Sequence, residues 1–265
     1  VDENQTSIGN VTATDSDNNT LTFSISDSGI SIDSSTGVMS FDTAPDYETQ
    51  TSYTRTVTVE DSLYSDSETI TITINNLNDN SPVFSSTENF SVNENTQSSI
   101  GTMVATDADG DTITYSVSGT DQDYLQIDGS SGVLTFVQAP DYETKSSYSA
   151  EVIASDGTNA TARTLSITVI NLNDNIPTFT SASTFTVAEN QTDGPTVEAS
   201  DNDGDTLTYS ISGGTDASSF SIDSSSGALT FVTSPDYETK SSYALTVSAS
   251  DGENITDISN KYGLK

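Results

Sequence analysis

Carboxylates in a fixed, repeating order are the groups of this chain that could do chemistry. A Glu stands in Val-x-Glu-Asn three times, at Glu3, Glu94 and Glu189. An Asp-x-Asp follows each, at Asp15 and Asp17, Asp107 and Asp109, and Asp201 and Asp203. Asp-Tyr-Glu comes next, at Asp46 and Glu48, Asp141 and Glu143, and Asp236 and Glu238. A lone Asp then appears at Asp61, Asp156 and Asp251, and Asn-Asp-Asn closes the first two cycles at residues 78–80 and 173–175. Many of these residues fall at strand ends, where the loops of a β-sandwich gather at its two poles. Hard oxygen donors converging on one pole suit Ca²⁺, which takes 6–8 oxygen ligands. Taken singly, an Asp-x-Asp is more often a surface loop and an Asp-Tyr-Glu more often structural; joint recurrence in one order overturns both. Asp33, Asp128 and Asp223, each four residues before Gly37, Gly132 or Gly227, are read as hairpin-turn residues. Asp111 and Asp205 could be ligands but fit solvated turns better.

Other chemistries fail on composition. With no His and no Cys, Ser-His-Asp and Cys-His catalysis, thiolate sites and His-ligated zinc are excluded. Asp107-Ala-Asp-Gly-Asp111 resembles the opening of an EF-hand loop, but positions 6 and 12 hold Thr112 and Ser118 where that loop wants Gly and Glu. A paired-carboxylate glycosidase would need three copies of one active site, in a chain without Trp. We therefore expect no enzyme activity. Six basic against 40 acidic side chains give a formal charge of −34, which argues against nucleic acid and anionic membranes and favours a divalent cation. Triplets such as Asn10-Val11-Thr12 are acceptors only in a glycosylating host, and in so Asn- and Thr-rich a chain are mostly coincidence.

The elements that must position these carboxylates recur with a period of 95. Pro-Asp-Tyr-Glu-Thr begins at Pro45, Pro140 and Pro235. That period is too long for a solenoid unit and suits a small independent domain. Within each unit apolar residues alternate with Ser and Thr: Ile70, Ile72, Ile74; Ile113, Tyr115, Val117; Tyr148, Ala150, Val152, Ala154; Leu165, Ile167, Val169. A period of 2 predicts strands, and regular apolar alternation argues against disorder. Short strands with Gly, Asp, Asn and Ser turns predict antiparallel sandwiches. Pro82 and Pro177 follow the Asn-Asp-Asn segments and set the bounds at 1–80, 81–175 and 176–265. Two places depart from the pattern. Arg55 takes the inward phase of Ala150 and Leu245 and is expected to snorkel at the rim; Asn260, Tyr262 and Leu264 replace Leu165, Ile167 and Val169, so the strand signal at the end is weak. No apolar run approaches the ~20 residues of a membrane span and no signal peptide is evident, so the chain reads as a segment of something longer.

At this point the residues resemble the cadherin superfamily, and in particular the cadherin-like repeats of large bacterial surface adhesins. The resemblance covers essentially the whole chain and rests on the set Val-x-Glu-Asn, Asp-Ala-Asp, Asp-Tyr-Glu, a late Asp and Leu-Asn-Asp-Asn with Pro one residue later. It implies an all-β fold of tandem seven-stranded Greek-key, Ig-like sandwiches arranged end to end. It also implies Ca²⁺ between consecutive repeats, about three per junction and two junctions in all. Carried over residue by residue, the first junction draws Glu3, Asp46 and Glu48, then Asn76, Asn78, Asp79 and Asn80 of the linker, then Asp107, Asp109 and Asp156. The second draws Glu94, Asp141, Glu143, Asn171, Asn173, Asp174, Asn175, Asp201, Asp203 and Asp251. Asn80 and Asn175 would offer backbone carbonyls. The family linker usually begins with Asp where Asn76 and Asn171 stand here, so each junction lacks one charge.

Each junction pools seven carboxylates, for example Glu3, Asp46, Glu48, Asp79, Asp107, Asp109 and Asp156. Like charges 4 Å apart repel by about 4 kcal/mol at an effective dielectric near 20. The expected role is thus an extracellular, cell-surface or secreted spacer or adhesive rod, part of a membrane-associated parent and stiffened by Ca²⁺. A homophilic or heterophilic surface protein or a glycan is the possible further partner. Adhesion by a swapped strand anchored on an N-terminal Trp is not open to a chain without Trp. The alternative is a glycan- or protein-binding accessory module of a secreted polysaccharide-degrading enzyme, which an exposed aromatic cluster would favour.

Overall fold

A computed structural model describes all 265 residues, Val1–Lys265. Strands hold 47% of them and helix 2%, so the fold is all-β, in tandem repeats of packed sheets. The chain divides into two compact units. One comprises Val1–Asn89, Ser99–Val137 and Ser149–Ser166; the other comprises Phe90–Ser98, Gln138–Tyr148 and Ile167–Lys265.

In the first unit, strands Ser7–Asn10, Val38–Phe41 and Ile30–Ile32 form one three-stranded sheet, with Val38–Phe41 central. Thr22–Ile25, Ser52–Glu60 and Ser65–Thr73 form a second, with Ser52–Glu60 central. Ile30 and Phe41 of one sheet and Ile72 of the other are buried in a single cluster with Ile74, which makes the pair a sandwich. The period of 2 sets which face is wet. Ile70 and Ile72 turn inward, while Thr54–Thr71, Thr56–Thr69 and Thr58–Ser67 pair hydroxyl to hydroxyl on the outer face. The same unit contains the sheet Leu125–Ile127, Val133–Phe136, Ser99–Thr102, and the pairing of Thr114–Ser118 with Glu151–Ser155.

In the second unit, Thr184–Val187, Ile255–Leu264, Ser242–Ser250 and Thr208–Gly213 form a four-stranded sheet in that spatial order. Asp193–Thr196, Ala228–Phe231 and Phe220–Ile222 form a three-stranded one, which gives the seven strands expected of a repeat. Strands distant in sequence lie side by side in both sheets, and Thr184–Val187 runs parallel to Ile255–Leu264. Val187, Val197, Leu229, Leu245, Val247 and Tyr262 are among the side chains buried between the sheets.

The hairpin reading of the Asp-x-x-x-Gly segments holds. Asp128 Oδ1 accepts the N–H groups of Ser130 (3.1 Å) and Ser131 (2.7 Å), and Gly132 turns the chain at φ +70°. A Cβ on Gly132 would collide with the Met103 carbonyl, so the position needs glycine on two counts.

Both departures are absorbed locally. Arg55 stays partly buried at the rim, where its guanidinium donates to the carbonyls of Thr54 (2.9 Å) and Ser28 (3.1 Å) and lies over the Tyr53 ring. The last strand is regular from Ile255 to Leu264 and pairs along its length with Ser242–Ser250. Tyr262 is fully buried, stacked on Phe185 with ring centroids 5.4 Å apart. Apolar contact explains why a polar-looking segment stays in the sheet. The cost is a buried hydroxyl without a hydrogen-bond partner, whose ionisation burial pushes well up, and an Asn260 Oδ1 in the same condition.

Candidate metal centre

Two carboxylate clusters are built on the same plan, one in each unit. In the first unit Glu3 is 2% exposed, because both its oxygens are occupied by backbone. Oε2 accepts the Tyr47 N–H and Oε1 the Leu77 N–H, each at 2.7 Å, so one side chain ties the Asp-Tyr-Glu loop to the start of the linker. The next residue, Asn4, is left-handed at φ 61°; its N–H donates to Pro45 and its amide side chain to Asp79 Oδ2. Asp46 caps its own turn, accepting from the Glu48 N–H and the Thr49 hydroxyl. Glu48 closes this side, and burial followed by the neighbouring charges of Glu3 and Asp109 raises its pKa.

Across the linker, Asp109 is the anchor. Its Oδ2 accepts the N–H groups of Asp79 (3.0 Å) and Asn80 (2.8 Å), and its Oδ1 the Asn80 amide (2.8 Å). Desolvation opposes ionisation of Asp109, yet these bonds from Asn80 and Asp79 hold its pKa below the usual carboxylate value. Asn76 donates its amide to the Asp109 carbonyl at 2.8 Å. Asp107 and Asp156 use only one oxygen each on local backbone: Asp107 Oδ1 accepts from Asp109, and Asp156 Oδ1 from Thr158 and Asn159. The other oxygens, Asp107 Oδ2 and Asp156 Oδ2, are buried and accept nothing. Burying a carboxylate oxygen unpaired is expensive, and a hard divalent cation is the partner such oxygens fit.

The second unit repeats the plan 95 residues later, 94 for its Asp-x-Asp and 91 for its Glu. Glu94, 1% exposed, accepts the N–H groups of Tyr142 (2.8 Å) and Leu172 (2.7 Å). Asp203 accepts from Asp174 (3.0 Å) and Asn175 (2.8 Å), and Asn171 donates to the Asp203 carbonyl (2.8 Å). Asp141 caps its turn through Thr144, and burial, then Glu94 and Asp203, raises the Glu143 pKa. Ligand atoms of Glu94, Glu143, Asp174 and Asp203 all lie within 4.8 Å of one another. Here Asp201 Oδ2 and Asn171 Oδ1 are the buried oxygens without a donor.

In the first unit the groups Glu3, Asp46 and Glu48, then Glu48, Asp79 and Asp109, then Asp107 and Asp109, each bring carboxylate oxygens within 4.8 Å of one another, while Asp156 lies on the hairpin that Asn159 joins to the linker. Asp111 is exposed, although one of its oxygens falls within 4.8 Å of Asp107 and Asp109. Two smaller groups stand apart: Asp15 and Asp61, joined through Asn19, and Glu189 with Asp236 and Glu238. Sequence reasoning missed Asn4 and Asn95, which bond Asp79 and Asp174, and Asn159 and Asn254, which reach back to the linkers. Their 91- and 95-residue spacings were the signal, hidden in a chain full of Asn.

A family model described as Cadherin domain matches residues 88–171 and 183–262, more than half of the chain. Human protocadherin Fat 4 is 33% identical over 258 residues, covering 89% of this chain and 5% of that protein. Cadherin-4 of Caenorhabditis elegans is 33% identical over 207 residues, 74% of this chain and 5% of that protein. The chain spans about a twentieth of the length of these relatives. Among solved structures, mouse cadherin-23 EC22-24 superposes with a TM-score of 0.83 at 24% identity, over 100% of this chain and 94% of that one. Protocadherin gamma B2 extracellular cadherin domains 3-6 superpose equally well, over 100% and 70%.

Proposed function

The chain belongs to the cadherin family, and from that premise we propose that it is a Ca²⁺-stiffened spacer or adhesive rod of three repeats, over 1–80, 81–175 and 176–265, in an extracellular surface protein. Cadherin repeats are adhesion-type modules and not enzymes. A bacterial adhesin is the parent we favour, with a surface protein or glycan as its further partner. No helix is long and apolar enough to cross a membrane.

The observation that carries the reading is the set of buried oxygens without donors, Asp107 Oδ2 and Asp156 Oδ2 in one cluster and Asp201 Oδ2 and Asn171 Oδ1 in the other. Bound Ca²⁺, about three ions per cluster, supplies the positive charge that lets seven carboxylates share one pole: +6 against −7. The chain's own residues do the rest. Glu3 and Glu94 fix the linker to the Asp-Tyr-Glu loop. Asp109 and Asp203 fix it to the Asp-x-Asp loop. Burial first, and the neighbouring carboxylates after it, raise the pKa values of Glu48 and Glu143.

Glycan binding finds less support. The exposed tyrosines Tyr64, Tyr124 and Tyr237 stand one to a repeat and make no stacking platform. Calorimetric titration of the whole chain with Ca²⁺ tests the proposal. Saturable uptake at both clusters is expected, and a chain that takes up none sinks it.

A further inference from the structure

Asn159 and Asn254 do not belong to the ligand set carried over from the family, yet each joins the linker before its repeat to the hairpin of the lone Asp; in the second unit Asn173 Nδ2 adds a bond to the Asp251 carbonyl (3.5 Å). The lone Asp of each repeat sits in a tight hairpin: the N–H of the residue three further on donates to Asp Oδ1, and the Asp N–H donates back to that residue's carbonyl. For Asp156 and Asn159 these contacts are 2.6 and 3.2 Å, and for Asp251 and Asn254 they are 2.6 and 3.3 Å. The side chains then leave the hairpin. Asn159 Nδ2 donates to Asn78 Oδ1 (3.1 Å) and to the Asn80 carbonyl (3.0 Å). Asn254 Nδ2 donates to Asn173 Oδ1 (3.1 Å), to the Asn175 carbonyl (3.4 Å) and to its own Asp251 Oδ2 (3.2 Å).

One amide therefore grips two linker oxygens while its backbone holds the first oxygen of the lone Asp. That leaves Asp156 Oδ2 buried without a hydrogen-bond partner. A carbonyl oxygen has two lone pairs, so the bond from Asn159 leaves each linker oxygen able to coordinate as well. The first repeat supplies an internal comparison. Its hairpin closes identically, with Tyr64 N–H on Asp61 Oδ1 at 2.6 Å and Asp61 N–H on Tyr64 O at 3.0 Å, but the side chain is an exposed tyrosine without an amide. The hairpin needs no asparagine to form, so the amide serves the linker.

We propose that Asn159 and Asn254 are positioning residues, each latching the linker that precedes its repeat onto the Asp-bearing hairpin so that linker oxygens and hairpin carboxylate face one cation. The inference rests on the cation reading above and adds residues that set its affinity. Partners of ligands typically change metal affinity by about 10- to 100-fold when removed.

The test uses the full 265-residue chain as wild type, Asn159→Ala and Asn254→Ala. Ca²⁺ titration by calorimetry is paired with far-ultraviolet CD melting in chelator. Each variant is expected to weaken one set of sites by roughly tenfold while its melt in chelator stays at the wild-type temperature. Hydrogen exchange at the Asp79 and Asn80 amides in chelator should quicken in Asn159→Ala only. Unchanged affinity in both variants overturns the latch and leaves the cation reading standing. A wild type that takes up no calcium overturns that reading, and the latch with it. Variants that lose β-structure in chelator at both positions make the asparagines folding residues and overturn the proposal too.

Discussion

The buried carboxylate of Glu94 accepts the backbone N–H of Leu172 through one oxygen and that of Tyr142 through the other, at 2.7 and 2.8 Å. A metal-independent joint therefore underlies the candidate centre. Glu94→Ala removes two charge-assisted bonds and strands two backbone donors, so it should destabilise the chelated protein by about 3 kcal/mol. Glu94→Gln keeps one acceptor oxygen and should cost less. Urea unfolding in chelator measures both, and a wild-type midpoint for Glu94→Ala would contradict the joint.

Much of this architecture is legible in the amino-acid sequence. The alternation of Ile70, Ile72 and Ile74 with threonine dictates which face of Ser65–Thr73 is buried, because a strand turns successive side chains to opposite faces. The Asp and Glu positions are legible because they recur in register. Asn159 is not, since an asparagine on a polar hairpin looks like a solvated turn until the linker it reaches is folded beside it. Nor is the order at Tyr262, whose burial depends on Phe185, far away in sequence.

Tyr262 gives the second prediction. Its hydroxyl is buried without a partner while the ring is well packed. Tyr262→Phe keeps the packing and removes the unpaired group, so stability should rise by about 1 kcal/mol. A loss of stability on thermal melting would mean that the hydroxyl has a partner, such as an ordered water.

Asn171 gives the third. Its amide nitrogen holds the Asp203 carbonyl and its oxygen is buried without a donor. Asn171→Asp adds a carboxylate to the cluster but sets an oxygen against that carbonyl. Calcium affinity should rise roughly tenfold, since one charge is restored where the family usually has it. The chelated linker should meanwhile exchange its amide hydrogens faster. Unchanged or weaker calcium binding by calorimetry would count against Asn171 as a ligand.

Acid should weaken the hairpins. Hydrogen bonds from Thr36, from Ser131 and from Ser226 hold the carboxyls of Asp33, Asp128 and Asp223 below the ordinary aspartate value. Their contribution to stability is therefore present above the unfolded value of about 3.9 and is lost as pH falls through the lower folded values. In chelator the melting temperature should drop below about pH 4. The triple variant Asp33→Asn, Asp128→Asn, Asp223→Asn, which keeps an acceptor at each turn, should show a shallower acid limb. An identical limb would place the acid sensitivity elsewhere.

Chelation separates the spacer from its rivals. Sheets such as Ser242–Ser250 with Ile255–Leu264 bury their own apolar side chains and need no cation to form. The clusters are different, because Glu48 lies under the charges of Glu3 and Asp109, and Glu143 under those of Glu94 and Asp203. Removing Ca²⁺ should therefore leave the far-ultraviolet CD spectrum of β-structure largely intact while small-angle scattering reports a broader, more bent ensemble, and re-addition should restore an elongated particle. Asp109→Ala strips the bonds to Asp79 and Asn80 and should loosen only the first junction. Asp203→Ala strips those to Asp174 and Asn175 and should loosen only the second. Scattering curves unchanged by chelation would rule out calcium as the stiffening agent. Outright unfolding would instead make the metal part of the folding free energy.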